Sequence, residues 1–181
     1  FFKKKKCKVY FAADGADELF GGYKIYEDLD WKSNNLSLSP YSSINKNILK
    51  KFKIKDKKYN QKINDFRRRV KIKYSFLKNR EEINIQTNLF CDYFIQSVKV
   101  GNACNDMIGS DNSIEIRNIF VQKDVIKEII NMPTKYKINL NNKKEFKTKI
   151  ILKNLFVKYF DKKYFFKKQG FSGFPNEINK K

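Results

Sequence analysis

The sequence predicts an α/β chain that is mostly helical and has few strands. Lys8-Val9-Tyr10-Phe11-Ala12-Ala13 is a short apolar run closed by Asp14-Gly15, the pattern of a buried parallel-sheet strand ending in a tight turn. Ala16-Asp17-Glu18-Leu19-Phe20 follows at once and places two acids in a first helical turn, where the helix dipole favours them. Beyond this strand-turn-helix half of a βαβ unit, the apolar residues recur at helical rather than alternating spacing. A single parallel strand leaves backbone groups without partners, so its neighbours are expected outside these 181 residues or in another chain.

The elements follow in order. A strand-turn-helix motif occupies 8–26. A basic, variable stretch fills about 32–80, and its first part, 32–60, is rich in Ser, Asn and Lys around Pro40 and reads as a weakly structured loop. From about 61 to 80, Phe66, Val70, Tyr74 and Leu77 mark one face of a helix whose other faces carry Arg67, Arg68, Arg69, Lys71 and Lys73. The remainder, 84–175, is expected to be helical. Ile85, Leu89, Tyr93 and Ser97 share a stripe with Phe90 and Phe94 beside it. Val125, Ile126, Ile129 and Ile130 form another helix, stopped by Pro133. Ile151, Leu152, Leu155, Phe156, Tyr159 and Phe160 belong to a last one, with Ile151, Leu155 and Tyr159 expected to pack inward and Lys149 and Lys153 to share a face. Gln169-Gly170-Phe171-Ser172-Gly173-Phe174-Pro175 is a turn-rich tail.

Composition excludes several chemistries. Histidine is absent, which removes a His general base, a Ser-His or Cys-His nucleophilic pair and His-ligated zinc. Cys7, Cys91 and Cys104 are odd in number and far apart, so no disulfide framework or zinc ribbon is implied; reduced, buried thiols in a cytoplasmic protein are expected. No apolar run reaches the roughly 18 residues of a spanning helix, and no membrane partner is expected. The net charge of +21 comes from 40 basic against 19 acidic residues, with arginine only at 67, 68, 69, 80 and 117. A chain rich in Lys, Asn, Ile, Phe and Tyr is what AT-rich codons produce, and we read codon bias as the main source of the charge. Nucleic acid stays open but unindicated.

The densest chemistry is Asp14-Gly15-Ala16-Asp17-Glu18-Leu19-Phe20-Gly21-Gly22-Tyr23. It places three carboxylates at the carboxyl end of a strand, where open α/β sheets bind ligands, and hard oxygens suit Mg²⁺ shared with phosphates. An ordinary acidic helix start followed by a Gly-Gly break reads the same residues without a ligand. The paired glycines weigh against that, because inside a helix each costs roughly 1 kcal/mol relative to Ala unless close packing requires it.

These residues resemble the SGxGxDExFGGY signature of the asparagine synthetase (glutamine-hydrolysing) family, in its C-terminal ATP-pyrophosphatase domain. Asp106 with Ser113-Ile114-Glu115-Ile116-Arg117 and Phe120 is similar to that family's D…M…ExRxPFLD segment. Lys149-Ile150-Ile151-Leu152-Lys153 resembles its KxxLR, and Lys168-Gln169-Gly170-Phe171 with Pro175 resembles its closing KxGFxxP. Four blocks in order span Val9 to Pro175. The resemblance implies the C-terminal, mostly helical portion of an adenine nucleotide alpha hydrolase-like (Rossmann-like) synthetase domain. The N-terminal glutaminase domain and the SGGxDS phosphate loop are absent from these residues, so the chain alone is expected to be inactive.

The activity so implied is ATP-dependent amidation of aspartate through an acyl-adenylate, with ammonia from glutamine and with Mg²⁺, in the cytoplasm. Asp17 matches the metal-binding aspartate, Asp14 the acidic position near the acyl-adenylate, and Lys149 a lysine facing pyrophosphate and the intermediate. Ala12, Ala13 and Gly15 match the nucleotide-contacting positions, and Glu115 and Arg117 a wall of the substrate site, although a plain structural ion pair fits those two equally well. Departures are Ala12-Ala13 for Ser-Gly, Ser110 for Met, Ile119 for Pro, and Val121-Gln122 for Leu-Asp. An amidotransferase acting on another carboxylate, such as a surface sugar or a secondary metabolite, is the rival within the family. A non-catalytic basic nucleic-acid-binding protein is the rival outside it. The implied partners are the N-terminal part of the same enzyme and, as an open case, a second copy in a homodimer.

Overall fold

The computed structural model describes residues 8–32, 56–139 and 146–164. The closing Lys168–Pro175 block, Cys7 and most of the 32–60 segment lie outside the described residues. The chain divides into two compact units, Phe1–Ile151 and Leu152–Lys181, and every described site residue belongs to the first.

The elements, in chain order, are β1 (Val9–Ala12), α1 (Ala16–Phe20), α2 (Ile25–Asp28), α3 (Asp56–Lys73) and α4 (Arg80–Asp92). A π-helical segment, Tyr93–Gly101, runs on from α4. Then come α5 (Asn102–Asp111), β2 (Glu115–Asn118), α6 (Lys123–Ile130) and α7 (Ile150–Tyr159). The described residues are mostly helical with a two-stranded parallel sheet, compatible with an α/β fragment.

The partner of β1 is the first correction to the sequence reading, because it lies in this chain. β2 pairs with β1 in parallel, Val9 opposite Glu115, Tyr10 opposite Ile116, Phe11 opposite Arg117 and Ala12 opposite Asn118. The Glu115 amide extends the ladder by donating to the Lys8 carbonyl at 2.7 Å. Ile114 and Ile116 alternate with Glu115 and Arg117, a two-residue period that fits a half-covered strand. Ala12 and Asn118 turn toward the helices, whereas Val9, Phe11, Glu115 and Arg117 share a bare face on which Phe11 is 72% exposed.

The core forms around α4. Its start is capped by Asn79, whose side chain accepts from the Glu81 amide at 2.8 Å, and Glu81 and Glu82 occupy its first turn. Ile85 and Leu89 pack with Tyr26, Trp31 and Ile138. On the side of α3, Val70 and Tyr74 close on Cys91, with Phe66, Leu77 and Phe90 around them. The stripes read from the sequence are therefore real. What the stripe misses is that α4 buries polar residues too: Asn84 donates to the Trp31 carbonyl at 2.7 Å and Gln86 to the Met132 carbonyl at 2.8 Å. These carboxamides satisfy loop backbone that would otherwise be buried without partners.

Other boundaries shift. α3 begins at Asp56, inside the stretch read as loop, and ends at Lys73. The helix read through Ser97 changes to π geometry at Tyr93. Lys149 is not helical and shares no face with Lys153: it stands at φ +52°, one residue before α7. Along α7, Leu155 and Tyr159 are exposed rather than packed inward. Cys91 is buried, which pushes its thiol up to about 12, but Cys104 is exposed.

Lys137 is only 2% exposed, and its ammonium donates to Gln86 Oε1 at 2.8 Å. Burial, with no counter-charge beside it among the described residues, pulls it from its ordinary 10.5 down to about 7. Between those two values the unfolded chain holds a proton that the folded one lacks, so stability falls as pH drops from 10.5 to 7 and the full penalty persists below. Lys137→Met should therefore raise the unfolding free energy near neutral pH by on the order of a few kcal/mol, with the gain fading toward high pH. Urea unfolding at about pH 6, 8 and 10 checks this, and a gain unchanged across that range would refute the desolvated amine.

Candidate functional site

The site begins where β1 stops. Gly15 takes φ +95°, a left-handed turn that admits glycine, and a Cβ there would press on the Tyr93 ring at 3.1 Å and on Phe120 Cβ at 3.3 Å. The turn lifts Asp14 to the surface, where Asn105 of α5 donates to its carboxylate. The chain then enters α1, whose Leu19 amide donates to the Gly15 carbonyl at 2.8 Å.

Five residues are too few for an autonomous helix, and α1 is held at both ends. Gly21 ends it at φ +66°, packed so tightly that a Cβ would stand 2.5 Å from Ile138 Cδ1. The Lys149 amide donates to the Phe20 carbonyl at 3.0 Å, satisfying a group that the helix end leaves open. The same residue's ammonium meets Asp17 Oδ1 at 2.6 Å, both side chains partly buried. An antiparallel bridge between Ile138 and Thr148 brings Lys149 to this point, and Ile150 N donates to the Lys137 carbonyl at 3.3 Å on its far side. Gly22 completes the arrangement: a Cβ there would lie 2.0 Å from Asp17 Oδ1 and 2.0 Å from Lys149 Cε. Close packing is thus what the paired glycines serve.

Glu18 points away from this ion pair and is buried, accepting from the Tyr23 hydroxyl at 2.6 Å. A second buried carboxylate, Asp92, accepts from the Tyr26 hydroxyl; burial first and Asp92 second raise that phenol above its ordinary range. Two acid–tyrosine pairs therefore brace the α1–α2 segment from within.

Glu115 and Arg117 sit two apart on β2, hence on one face, and pair at 2.7 Å with both side chains more than half exposed. They border an open cleft of about 850 Å³ whose other walls include Phe11, Asn102, Asn105 and Asp106. Asn105 links this cleft to Asp14. Parallel pairing sets Ala12 beside Asn118, at the mouth where β1 delivers Ala13 and Asp14. The structure thus assembles two groups, Asp17 with Lys149 and Asp14 with the cleft of Glu115 and Arg117.

A protein-family model described as Asparagine synthase matches residues 2–180. The chain belongs to the asparagine synthase family. No curated protein and no solved structure matches it. Membership of the asparagine synthase family makes a ligase of amidotransferase type the class in which these side chains are to be read.

Residues that the sequence reading overlooked are the carboxamides Asn102, Asn105, Asn118 and Gln122, which line the cleft. Asn118 donates to Asn102 Oδ1 at 3.2 Å across the gap between β2 and α5. In a chain this rich in asparagine, nothing local sets them apart. The alternation at 114–117 is the signal that could have found the strand they flank.

The two glycines should fail differently. Gly21→Ala combines a left-handed φ with a contact against branched Ile138 and should cost about 1–3 kcal/mol of stability. Gly22→Ala meets the far ends of two flexible side chains, so they swing apart; the fold should lose under about 1 kcal/mol, the scale of a single ion pair. Denaturant unfolding separates the two, and acylation of Lys149, followed by mass spectrometry, should rise several-fold only in Gly22→Ala.

Proposed function

We propose that this chain carries the metal- and pyrophosphate-facing part of an ATP-dependent enzyme that activates aspartate as an acyl-adenylate and amidates it with ammonia released from glutamine. The observation that carries the reading is the Asp17–Lys149 pair, 2.6 Å apart, in which Lys149 reaches Asp17 on the short helix that follows a parallel strand. A carboxylate and an ammonium held together at that place offer opposite charges to Mg²⁺ and to phosphate.

The donor set fits Mg²⁺ in a specific way. Among the described residues no three acidic, His or Cys side chains converge on one point, so Asp17 would be one hard ligand while substrate phosphates and water supply the rest, the usual arrangement for this ion. ATP and Mg²⁺ would provide the activated phosphoryl chemistry. Lys149, as a compact charge on a backbone fixed by the Phe20 carbonyl, would neutralise charge gathering on departing pyrophosphate. Asp14, steadied by Asn105, would face the activated acyl group. Ala12, Ala13 and Gly15 would present backbone to the nucleotide, with Gly15 allowing the closest approach. Glu115 and Arg117 would border the acceptor carboxylate from the cleft. None of these steps requires histidine. Glutamine hydrolysis and the SGGxDS loop would come from the N-terminal part of the enzyme, in the cytoplasm.

A second acceptor is favoured by one feature. The carboxamides that line the cleft suit a hydroxyl-rich acid such as a sugar carboxylate. Pyrophosphate release from the complete enzyme with ATP, ammonia and each acid distinguishes the two.

In that assay the 181 residues alone should stay at background. In the complete enzyme Asp17→Asn should abolish synthesis while glutamine hydrolysis persists. Lys149→Ala should lower kcat by about 10²–10³-fold, on the scale of one lost electrostatic donor, with a smaller change in KM. Lys153→Ala, within α7, should stay near the parent; comparable losses in both lysine variants would remove Lys149 from the site.

A further inference from the structure

The end of α3 and the turn after it form a surface that the ligase reading leaves unused. From Arg67 to Arg80 there are seven cations, Arg67, Arg68, Arg69, Lys71, Lys73, Lys78 and Arg80, and no acid. Codon bias accounts for lysines but not for this, because four of the chain's five arginines fall within these fourteen positions. Arg67 is partly withdrawn beside Cys91 and Asp92, and Arg68 makes only a loose, exposed contact with Asp65 at 3.5 Å. Arg69, Lys71, Lys73, Lys78 and Arg80 form no ion pair among the described residues and are exposed.

Two large apolar side chains stand among these cations. Val70 and Tyr74 face the core, whereas Ile72 is 64% and Phe76 71% exposed. At 100° per residue, Ile72 falls between Arg68 and Arg69 on the outer arc of the helix. Phe76 is held out by an ordered turn: Ser75 donates to the Ile72 carbonyl through both its amide, at 3.1 Å, and its hydroxyl, at 2.7 Å. Its ring lies 6.5 Å from that of Tyr74, whose hydroxyl is tied to the Ile130 carbonyl at 3.4 Å.

We propose that this surface, which exposes Ile72 and Phe76 in the same stretch of chain as Arg68, Arg69, Lys71, Lys73 and Arg80, is a peripheral docking surface for a bilayer rich in anionic phospholipid. Charge complementarity selects an anionic partner, and arginine's planar fork matches phosphate. Aliphatic Ile72 is what favours lipid over nucleic acid: it has no ring to stack on a base but gains from the headgroup–acyl boundary, where cations and apolar residues are used together and where Phe76 can enter beside it. Stacking of Phe76 on a base is the rival that the RNA arm of the test addresses. No helix among the described residues is long and apolar enough to cross a membrane; surface docking needs none, and it departs from the sequence expectation of no membrane partner, which rested on spanning helices alone.

The test is sedimentation of the full 181-residue chain with vesicles of about 30% phosphatidylserine in phosphatidylcholine, against phosphatidylcholine alone and against duplex and single-stranded RNA oligomers. Binding is expected to the anionic vesicles only. Arg69→Glu with Lys73→Glu should weaken it at least about 25-fold, from roughly fivefold per basic contact. Ile72→Ser with Phe76→Ser should weaken it about tenfold or more, an effect that salt does not reproduce. Lys123→Glu with Lys135→Glu, equally exposed, should leave it within about twofold if the surface is local. All these positions face water, and circular dichroism verifies the fold of each variant. Absent vesicle binding, equal loss in the Lys123/Lys135 control, or full binding by the Ile72/Phe76 variant each overturns the proposal. RNA binding, with or without a need for Phe76, would assign the surface to nucleic acid instead.

Discussion

Four residue pairs between two short strands govern the rest of the molecule. β1 and β2 run parallel, and parallel neighbours cannot be joined by a tight turn; the chain must leave, cross the sheet face and return. Here the return takes more than half the sequence and includes α1 through α5. Each helix in that excursion must pack against something, and the buried side of the sheet together with α4 supplies it. The pairing also has a direct chemical consequence. It delivers Asp14 to the same end of the sheet as Asn118, and only then can Asn105 reach from α5 to steady that carboxylate. Loop-closure entropy opposes so long an excursion, although slowly with length, and the core around Ile85 and Leu89 offsets it.

The same logic explains why Lys149 sits where it does. A helix as short as α1 would fray unless its last carbonyls were met. Lys149 meets one with its amide and reaches Asp17 with its ammonium, so a single residue closes the helix end and neutralises an acid in its first turn. That double role requires φ +52°, an uncommon conformation for a side chain other than Gly or Asn. The bridge between Ile138 and Thr148 ends one residue before Lys149. Next to that bridge the chain buries Lys137, with no counter-charge among the described residues, which costs stability at neutral pH. Strain and desolvation are thus concentrated beside the residue proposed to handle phosphate charge, while the aromatic core around Tyr26 and Trp31 carries the stability.

Much of this was legible in the residues themselves. The position of β1, the acidic turn of α1 and the tight packing at Gly21-Gly22 follow from local pattern, but the burial read into β1 does not hold, because Val9 and Phe11 face outward. β2 was not legible as a strand. Four residues with two charges carry little apolar signal, and Glu115 and Arg117 attract attention as chemistry before they are read as alternation. Lys149 was misplaced for a related reason. The apolar run after it has helical spacing, and nothing local reveals that the residue before that run, next to a distant bridge, is left-handed. The buried carboxamides of α4 fall in the same class: Asn84 and Gln86 look like surface until the loops they satisfy, at Trp31 and Met132, are brought alongside. Whatever depended on contacts far apart in sequence stayed hidden.

The charge of the chain and the geometry of its site follow different rules. Lysine can accumulate on exposed helix faces at small cost, since surface substitutions usually shift stability by under about 0.5 kcal/mol. No such freedom exists where a side chain would strike its neighbours. Of only seven glycines in the chain, three lie in the eight residues from Gly15 to Gly22, and a Cβ at any of them would meet another side chain within 3.1 Å. A composition that favours lysine and disfavours glycine has therefore stopped at the turn and the helix end, where the space itself decides which residue fits, and at the ion pair, where a Cβ would fit only by parting Asp17 from Lys149.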